Sequence, residues 1–117
     1  DRTTISGNVC NKIGTYLKAL AAKENKIPFY VALPTSTIDH KIRKMSEIPI
    51  ETRSGEELSK SKFNFFYSIV EGKIFQDGTP TFNPAFDVTP SKLITKLITE
   101  KGICEPNQES INKLLQK

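Results

Sequence analysis

The sequence predicts a layered α/β fold built around a parallel sheet. Apolar residues Val9, Ile13, Tyr16, Leu17, Leu20 and Ala21 recur at helical spacing. Phe29-Tyr30-Val31-Ala32-Leu33 is apolar at consecutive positions between Pro28 and Pro34, the pattern of a short strand buried on both faces. Helix, brief turn and buried strand in that order make an αβ unit, from which layered α/β domains are assembled.

Each element has its own signal. The first helix is expected from Val9 to about Asn25, with Asn8 as N-cap because its side-chain oxygen can take an orphan N–H of the first turn. Pro28 helps to end it. The strand that follows leads into Pro34-Thr35-Ser36-Thr37-Ile38-Asp39, a polar loop at a carboxyl edge, where open α/β sheets bind ligands. Between His40 and Ser61, Ile48-Pro49-Ile50 reads as a short edge strand and Gly55-Glu56-Glu57-Leu58 as a turn of helix. Phe63 to Val70 is the most aromatic stretch and high in β propensity, expected in a core or an interface. Three prolines between Gly78 and Pro90 exclude regular structure throughout. Thr89 as N-cap and Pro90 at the first helical position then announce a helix through Leu93, Ile94, Leu97 and Ile98, stopping at Lys101-Gly102. Ser110 to Leu115 is a last amphipathic piece.

Composition narrows the function classes. At 117 residues the chain is one ordinary domain, residues 1–117. It is 37% hydrophobic and 26% charged, somewhat poor in apolar residues for a soluble domain. Its charge of +4 comes from lysines scattered along the chain, not gathered with aromatics as a nucleic-acid surface requires. No apolar run approaches the ~20 residues that span a bilayer. The first eight residues are too polar for a signal peptide. Cys10 and Cys104 fit no metal or redox spacing and read as reduced thiols of a cytoplasmic protein. The leading Asp1, with no initiator Met, is the mark of a processed chain or of part of a longer one.

The groups suited to chemistry lie near the start. A helix opening after Asn8 presents free N–H groups and the positive end of its dipole, an anion site. Lys12 adds a charge toward a phosphate, Asn11 both donates and accepts as a sugar hydroxyl requires, and Asp1 can act as general acid or base. Spacing alone also fits a solvated lysine and a locally bonded asparagine. His40 is the sole histidine, which excludes a multi-histidine metal site or a histidine relay. Cys10 fits either a thiol activated by the helix dipole or a small buried side chain. Asp87 is placed to cap or brace the helix near Pro90, and Thr37 and Asp39 either touch a ligand or make a turn.

Asp1-Arg2, Gly7-Asn8-Val9 and Asn11-Lys12-Ile13-Gly14-Thr15-Tyr16 resemble the C-terminal domain of the methylthioribose-1-phosphate isomerases. So do Ile27-Pro28-Phe29-Tyr30-Val31-Ala32, Ile48-Pro49-Ile50-Glu51 and Asn83-Pro84-Ala85-Phe86-Asp87-Val88-Thr89-Pro90. Leu93-Ile94-Thr95 and Ile98-Thr99-Glu100-Lys101-Gly102 complete a resemblance that covers roughly 1–103 in order. The wider superfamily includes the regulatory subunits of translation initiation factor 2B and ribose-1,5-bisphosphate isomerase. The initiation-factor subunits lack the combination of Asn-Lys early and Asn-Pro-Ala-Phe-Asp-Val-Thr-Pro later, and both stand here.

The resemblance implies a Rossmann-like three-layer domain with a mostly parallel sheet, incomplete on its N-terminal side in these residues. It implies a sugar-phosphate substrate, no cofactor or metal, and as partner either a second copy in a homodimer or a complementary N-terminal half. The reaction implied is the conversion of 5-methylthioribose 1-phosphate to 5-methylthioribulose 1-phosphate in methionine salvage. Asp1 aligns with the catalytic aspartate of a Gly-Ala-Asp-Arg motif, and Asn11 and Lys12 with the substrate-holding pair. The Gly-Ala, the strand before it, the catalytic cysteine and the N-terminal arginines are not among these residues, and the stretch 59–68 diverges. Cys10 stands where the family has a small residue and does not replace that cysteine. The alternatives are a non-catalytic module related to the initiation-factor subunits, a ribose-1,5-bisphosphate isomerase relative, or a decayed gene product.

Overall fold

The computed structural model describes residues 1–116, which fall into two units, 1–50 with 86–116 and 51–85. In the larger unit, strands β1 (Arg2–Thr4) and β2 (Val9–Lys12) form an antiparallel hairpin with Arg2 opposite Cys10. Its turn is closed by the N–H of Thr4 on the Asn8 carbonyl at 2.8 Å and that of Gly7 on the Thr4 carbonyl at 2.9 Å. Gly7 has φ +88°, and a Cβ there would lie 2.1 Å from the Pro106 carbonyl oxygen, so both backbone and space demand glycine.

Helix α1 (Thr15–Glu24), β3 (Tyr30–Ala32) and β4 (Ile38–Asp39) follow. The smaller unit holds α2 (Glu56–Ser59), β5 (Lys60–Phe65) and β6 (Ser68–Lys73). The chain then returns through β7 (Phe86–Thr89), β8 (Lys96–Thr99), β9 (Gly102–Cys104) and α3 (Gln108–Leu115). One sheet of the larger unit has the order β4-β1-β2-β7 and the other β3-β8-β9. Ile5, Val9, Ile38, Ile94, Leu97, Cys104, Ile111 and Leu114 form the core, with α3 laying Ile111 and Leu114 into it. Asn107 caps α3, its side-chain oxygen accepting the Ser110 N–H at 2.9 Å.

The smaller unit is a hairpin with a short helix ahead of it. β5 and β6 pair from Phe65 opposite Ser68 to Lys60 opposite Lys73. The Ala85 N–H on the Glu51 carbonyl and the Arg53 N–H on the Asn83 carbonyl, both at 2.8 Å, close its ends. Phe66 turns the hairpin at φ 52° and packs its ring edge-on to Phe65 at 4.8 Å.

The expected α/β class is present, with α2, α3 and β3 close to where the pattern put them. The pairing differs: among the described residues two of six strand pairings are parallel, β1 with β4 and β3 with β8. The first helix begins at Thr15, six residues later than expected, because Val9 to Lys12 pair residue by residue with Phe86 to Thr89. Asn8 is therefore not its N-cap. Gly14, at φ 99°, occupies that position.

The helix expected after Pro90 is a single 3-10 turn, Ser91–Leu93, followed by β8. There the Thr95 N–H bonds the Phe29 carbonyl at 2.7 Å and commits the segment to the sheet. Ile48-Pro49-Ile50 forms no strand, although Ile48 is buried. β3 is half covered, with Val31 against the core and Tyr30 exposed, and the tip of the aromatic hairpin, Phe66 and Tyr67, lies open to solvent.

Candidate active site

The site grows from the corner where β1 and β2 meet β7. Arg2, the first residue of β1, lies opposite Cys10, and Asp1 precedes it. Asn11 is opposite Asp87 on β7. Cross-strand partners share a face of the sheet, so Asn11 and Asp87 stand side by side. Lys12 follows on β2 and projects to the other face, where its Nζ stands 5.9 Å from the Phe86 ring centroid. Asn11 and Lys12 are the last two residues of β2, Asp1 precedes β1, and all three are exposed.

The helix start expected to receive an anion already holds one. The Asp87 carboxylate accepts the Gly14 N–H at 2.7 Å and the Tyr16 N–H at 3.1 Å. The Thr15 hydroxyl donates to the Lys12 carbonyl at 2.7 Å and pins the strand-to-helix corner. Asp87 braces α1, not the segment after Pro90. That segment is braced by Asn8, whose side-chain oxygen accepts the Ser91 N–H at 3.1 Å. The two residues have exchanged the roles expected of them.

A second group stands at the start of β1. Asp1, Arg2, Thr37, Asp39, His40 and Lys41 border an open cleft of about 450 Å³. Arg2 Nη1 meets Asp39 Oδ2 at 3.1 Å, while Asp39 Oδ1 accepts the N–H groups of Lys41 at 2.8 Å and Ile42 at 3.3 Å. The Lys41 N–H, helped by that of Ile42 and by Arg2, holds the Asp39 carboxyl below its ordinary range. Asp39 therefore makes both a turn and an ion pair. Sequence reasoning left the pair unseen, although an aspartate two and three residues ahead of N–H donors is a turn signal. Farther along that loop Thr35 donates its N–H to Glu100 at 2.9 Å and its hydroxyl to the same carboxylate, which holds Glu100 below its ordinary range.

Cys10 lies in a strand and is fully buried, and burial pushes its thiol up, so the activated-thiol reading is closed. His40 is exposed on the cleft rim. Among the described residues no group of three or more His, Cys, Asp or Glu side chains could hold a metal ion, and no helix is long and apolar enough to cross a membrane.

Residues 1–106 match the model of the initiation factor 2 subunit family. The chain belongs to that family. Within it, the chain is 55% identical over 116 residues to a methylthioribose-1-phosphate isomerase of Rhizobium meliloti, across 97% of this chain and 32% of the relative. It is 58% identical over 106 residues to the enzyme of that name from Cereibacter sphaeroides, across 89% of this chain and 29% of the relative. The chain thus spans about a third of the length of the curated relatives it matches.

Among solved members of the family, the 5-methylthioribose 1-phosphate isomerase of Pyrococcus horikoshii superposes with a TM-score of 0.84 at 39% identity, over 99% of this chain and 30% of that one. The translation initiation factor eIF-2B, subunit delta, from A. fulgidus gives a TM-score of 0.82 at 39% identity, over 100% of this chain and 32% of that one. The mixed α/β fold is common to both.

Proposed function

We propose that this chain is the C-terminal portion of an aldose–ketose isomerase that converts 5-methylthioribose 1-phosphate to 5-methylthioribulose 1-phosphate in the methionine salvage of the cytoplasm. The observation that supports the reading is the antiparallel pairing of β1 with β2, Arg2 opposite Cys10, which leaves the start of β1 beside the end of β2 that carries Asn11 and Lys12. The substrate's anomeric oxygen carries phosphate, so the ring does not open unaided as an ordinary aldose does. Asp1 exchanges a proton with the sugar oxygens as the ring opens. Asn11 donates to and accepts from a sugar hydroxyl, and Lys12 offsets negative charge near the strand end. Hydrogen then passes from C2 to C1, which leaves the overall composition of the sugar unchanged.

The other catalytic group, a cysteine, belongs to polypeptide outside these residues. So do the strands that would extend the two parallel pairings into a Rossmann-like three-layer domain with a mostly parallel sheet. A homodimer or a complementary N-terminal half is the partner that this reading requires.

A chimera tests the proposal, with this chain replacing the corresponding third of the Rhizobium meliloti isomerase. The expected result is ketose product from the chimera and none from its Asp1→Asn variant. A folded chimera that forms no ketose, or an Asp1→Asn variant as active as the parent, would overturn it. The second reading, a non-catalytic interaction module, draws on the equal 39% identity to the eIF-2B subunit. A folded but inactive chimera favours that reading.

A further inference from the structure

The corner that joins β2 to α1 is fastened around Lys12. Lys12 is the last residue of β2 and lies opposite Phe86 on β7. Beyond it the chain turns through Gly14, at φ 99°, and enters α1 at Thr15. Three hydrogen bonds hold this turn. The Thr15 hydroxyl donates to the Lys12 carbonyl at 2.7 Å. Asp87, the neighbour of Phe86, takes the Gly14 N–H on Oδ2 at 2.7 Å and the Tyr16 N–H on Oδ1 at 3.1 Å. Both carboxylate oxygens are therefore committed to the helix start, which is closed to a phosphate. Lys12 joins none of the ion pairs among the described residues. Its ammonium group is the charge this corner offers to an anion.

We propose that Asp87 is a positioning residue for Lys12: by clamping the turn into α1 it fixes where β2 ends, and so where the Lys12 ammonium group stands for the substrate phosphate. This rests on the reading of Lys12 as a substrate-holding residue. Without the carboxylate, only the Thr15 bond of the three would remain, across a turn that glycine leaves free to swing. The sign of the effect separates positioning from charge. Asp87 is an anion, and its removal beside an anionic substrate would by itself tighten binding. Positioning demands the opposite, since a lysine held out of place loses binding in the ground state and the transition state alike.

The first test needs no substrate and uses the 117-residue chain. In the parent, Lys12 Nζ stands 5.9 Å from the Phe86 ring centroid, so nuclear Overhauser contacts should join that side chain to that ring. They should fade in Asp87→Ala and weaken less in Asp87→Asn, which keeps one acceptor oxygen. Asn107→Ala is the control: it removes the cap of a different helix, α3, and should leave the contacts as they are. Contacts of equal strength in the parent and Asp87→Ala chains overturn the proposal, as does their loss in Asn107→Ala.

The second test uses the chimera. There Asp87→Ala should raise KM about fivefold or more with kcat within about twofold, and Asp87→Asn should raise KM less. In the Lys12→Ala background Asp87→Ala should change KM by less than about twofold, because the residue it positions is gone. A Lys12→Ala chimera with the KM of the parent refutes the substrate-holding reading. With KM raised in Lys12→Ala, any of three results refutes only the role given to Asp87: a KM unchanged by Asp87→Ala, a KM lowered by either substitution, or a rise as large without Lys12 as with it.

Discussion

Asp87, on a strand 73 residues away in sequence, accepts the Gly14 N–H at 2.7 Å and sets the start of α1. One carboxylate thereby takes two orphan donors of the helix, at Gly14 and Tyr16, and complements its dipole. The same aspartate lies opposite Asn11. It thus fixes both the strand that carries Asn11 and the corner that carries Lys12.

Removing that carboxylate frees the helix start. Asp87→Ala is expected to cost about 1–2 kcal/mol, the usual loss for an N-terminal cap. Asp87→Asn should cost less, since one side-chain oxygen still accepts. Urea unfolding followed by circular dichroism measures both, and an Asp87→Ala chain as stable as the parent contradicts the capping role.

This contact also explains what was legible in the sequence and what was not. The spacing of Val9, Ile13, Tyr16 and Leu17 suits a helix, yet Val9 to Lys12 belong to a ladder with residues near position 88. Local periodicity carries no trace of a partner that far off. Leu93, Ile94, Leu97 and Ile98 misled in the same way, since only Ile94 and Leu97 are buried and β8 takes its form from β3. Where an element's stability is local the reading succeeded, as in α3, with its own cap at Asn107 and its own apolar face. Asp1, Asn11 and Lys12 were identified through resemblance. The pairings of β2 with β1 and β7, which set Asn11 and Lys12 in place, join segments too far apart for local spacing to show.

Gly7 marks a turn that admits no other residue. Gly7→Ala places a methyl carbon 2.1 Å from the Pro106 oxygen at φ +88°. The loss expected is about 2 kcal/mol or more, from strain in the backbone and displacement of Pro106. A midpoint in urea unchanged from the parent would show that the turn relaxes without cost.

The buried thiols should be unreactive while the chain is folded. Burial raises both Cys10 and Cys104 above the ordinary value of 9.0. Such a group holds its proton longer in the folded state, so its contribution to stability is full below that value and falls as pH rises through it. Thiol reagents at pH 7 should therefore label both cysteines only on unfolding. Rapid labelling of Cys10 in the native chain would contradict its burial.

Glu100 has the opposite sign. Hydrogen bonds from the Thr35 hydroxyl and N–H keep it ionised below the usual carboxylate range. The stability it lends the loop at Thr35 is present above the unfolded carboxylate value and is lost as pH falls through the folded one. Hydrogen exchange at the Thr35 amide should quicken on acidification through that window. Glu100→Gln should quicken it at neutral pH, and a rate insensitive to both changes sets the contact aside.

Lys12 separates binding from folding most cleanly. Its contact with the Phe86 ring is exposed, so Lys12→Ala should cost the fold no more than about 1 kcal/mol. A charge-assisted hydrogen bond from an ammonium group to a phosphate is worth more, about 1.5–3 kcal/mol. In the chimera, Lys12→Ala should therefore raise KM by about tenfold or more, while the melting temperature moves by only a few degrees. Lys12→Arg keeps the charge and should fall between the two. A KM unchanged in Lys12→Ala would reduce this lysine to a solvated neighbour of Phe86 and leave Asn11 as the substrate-holding residue of the strand.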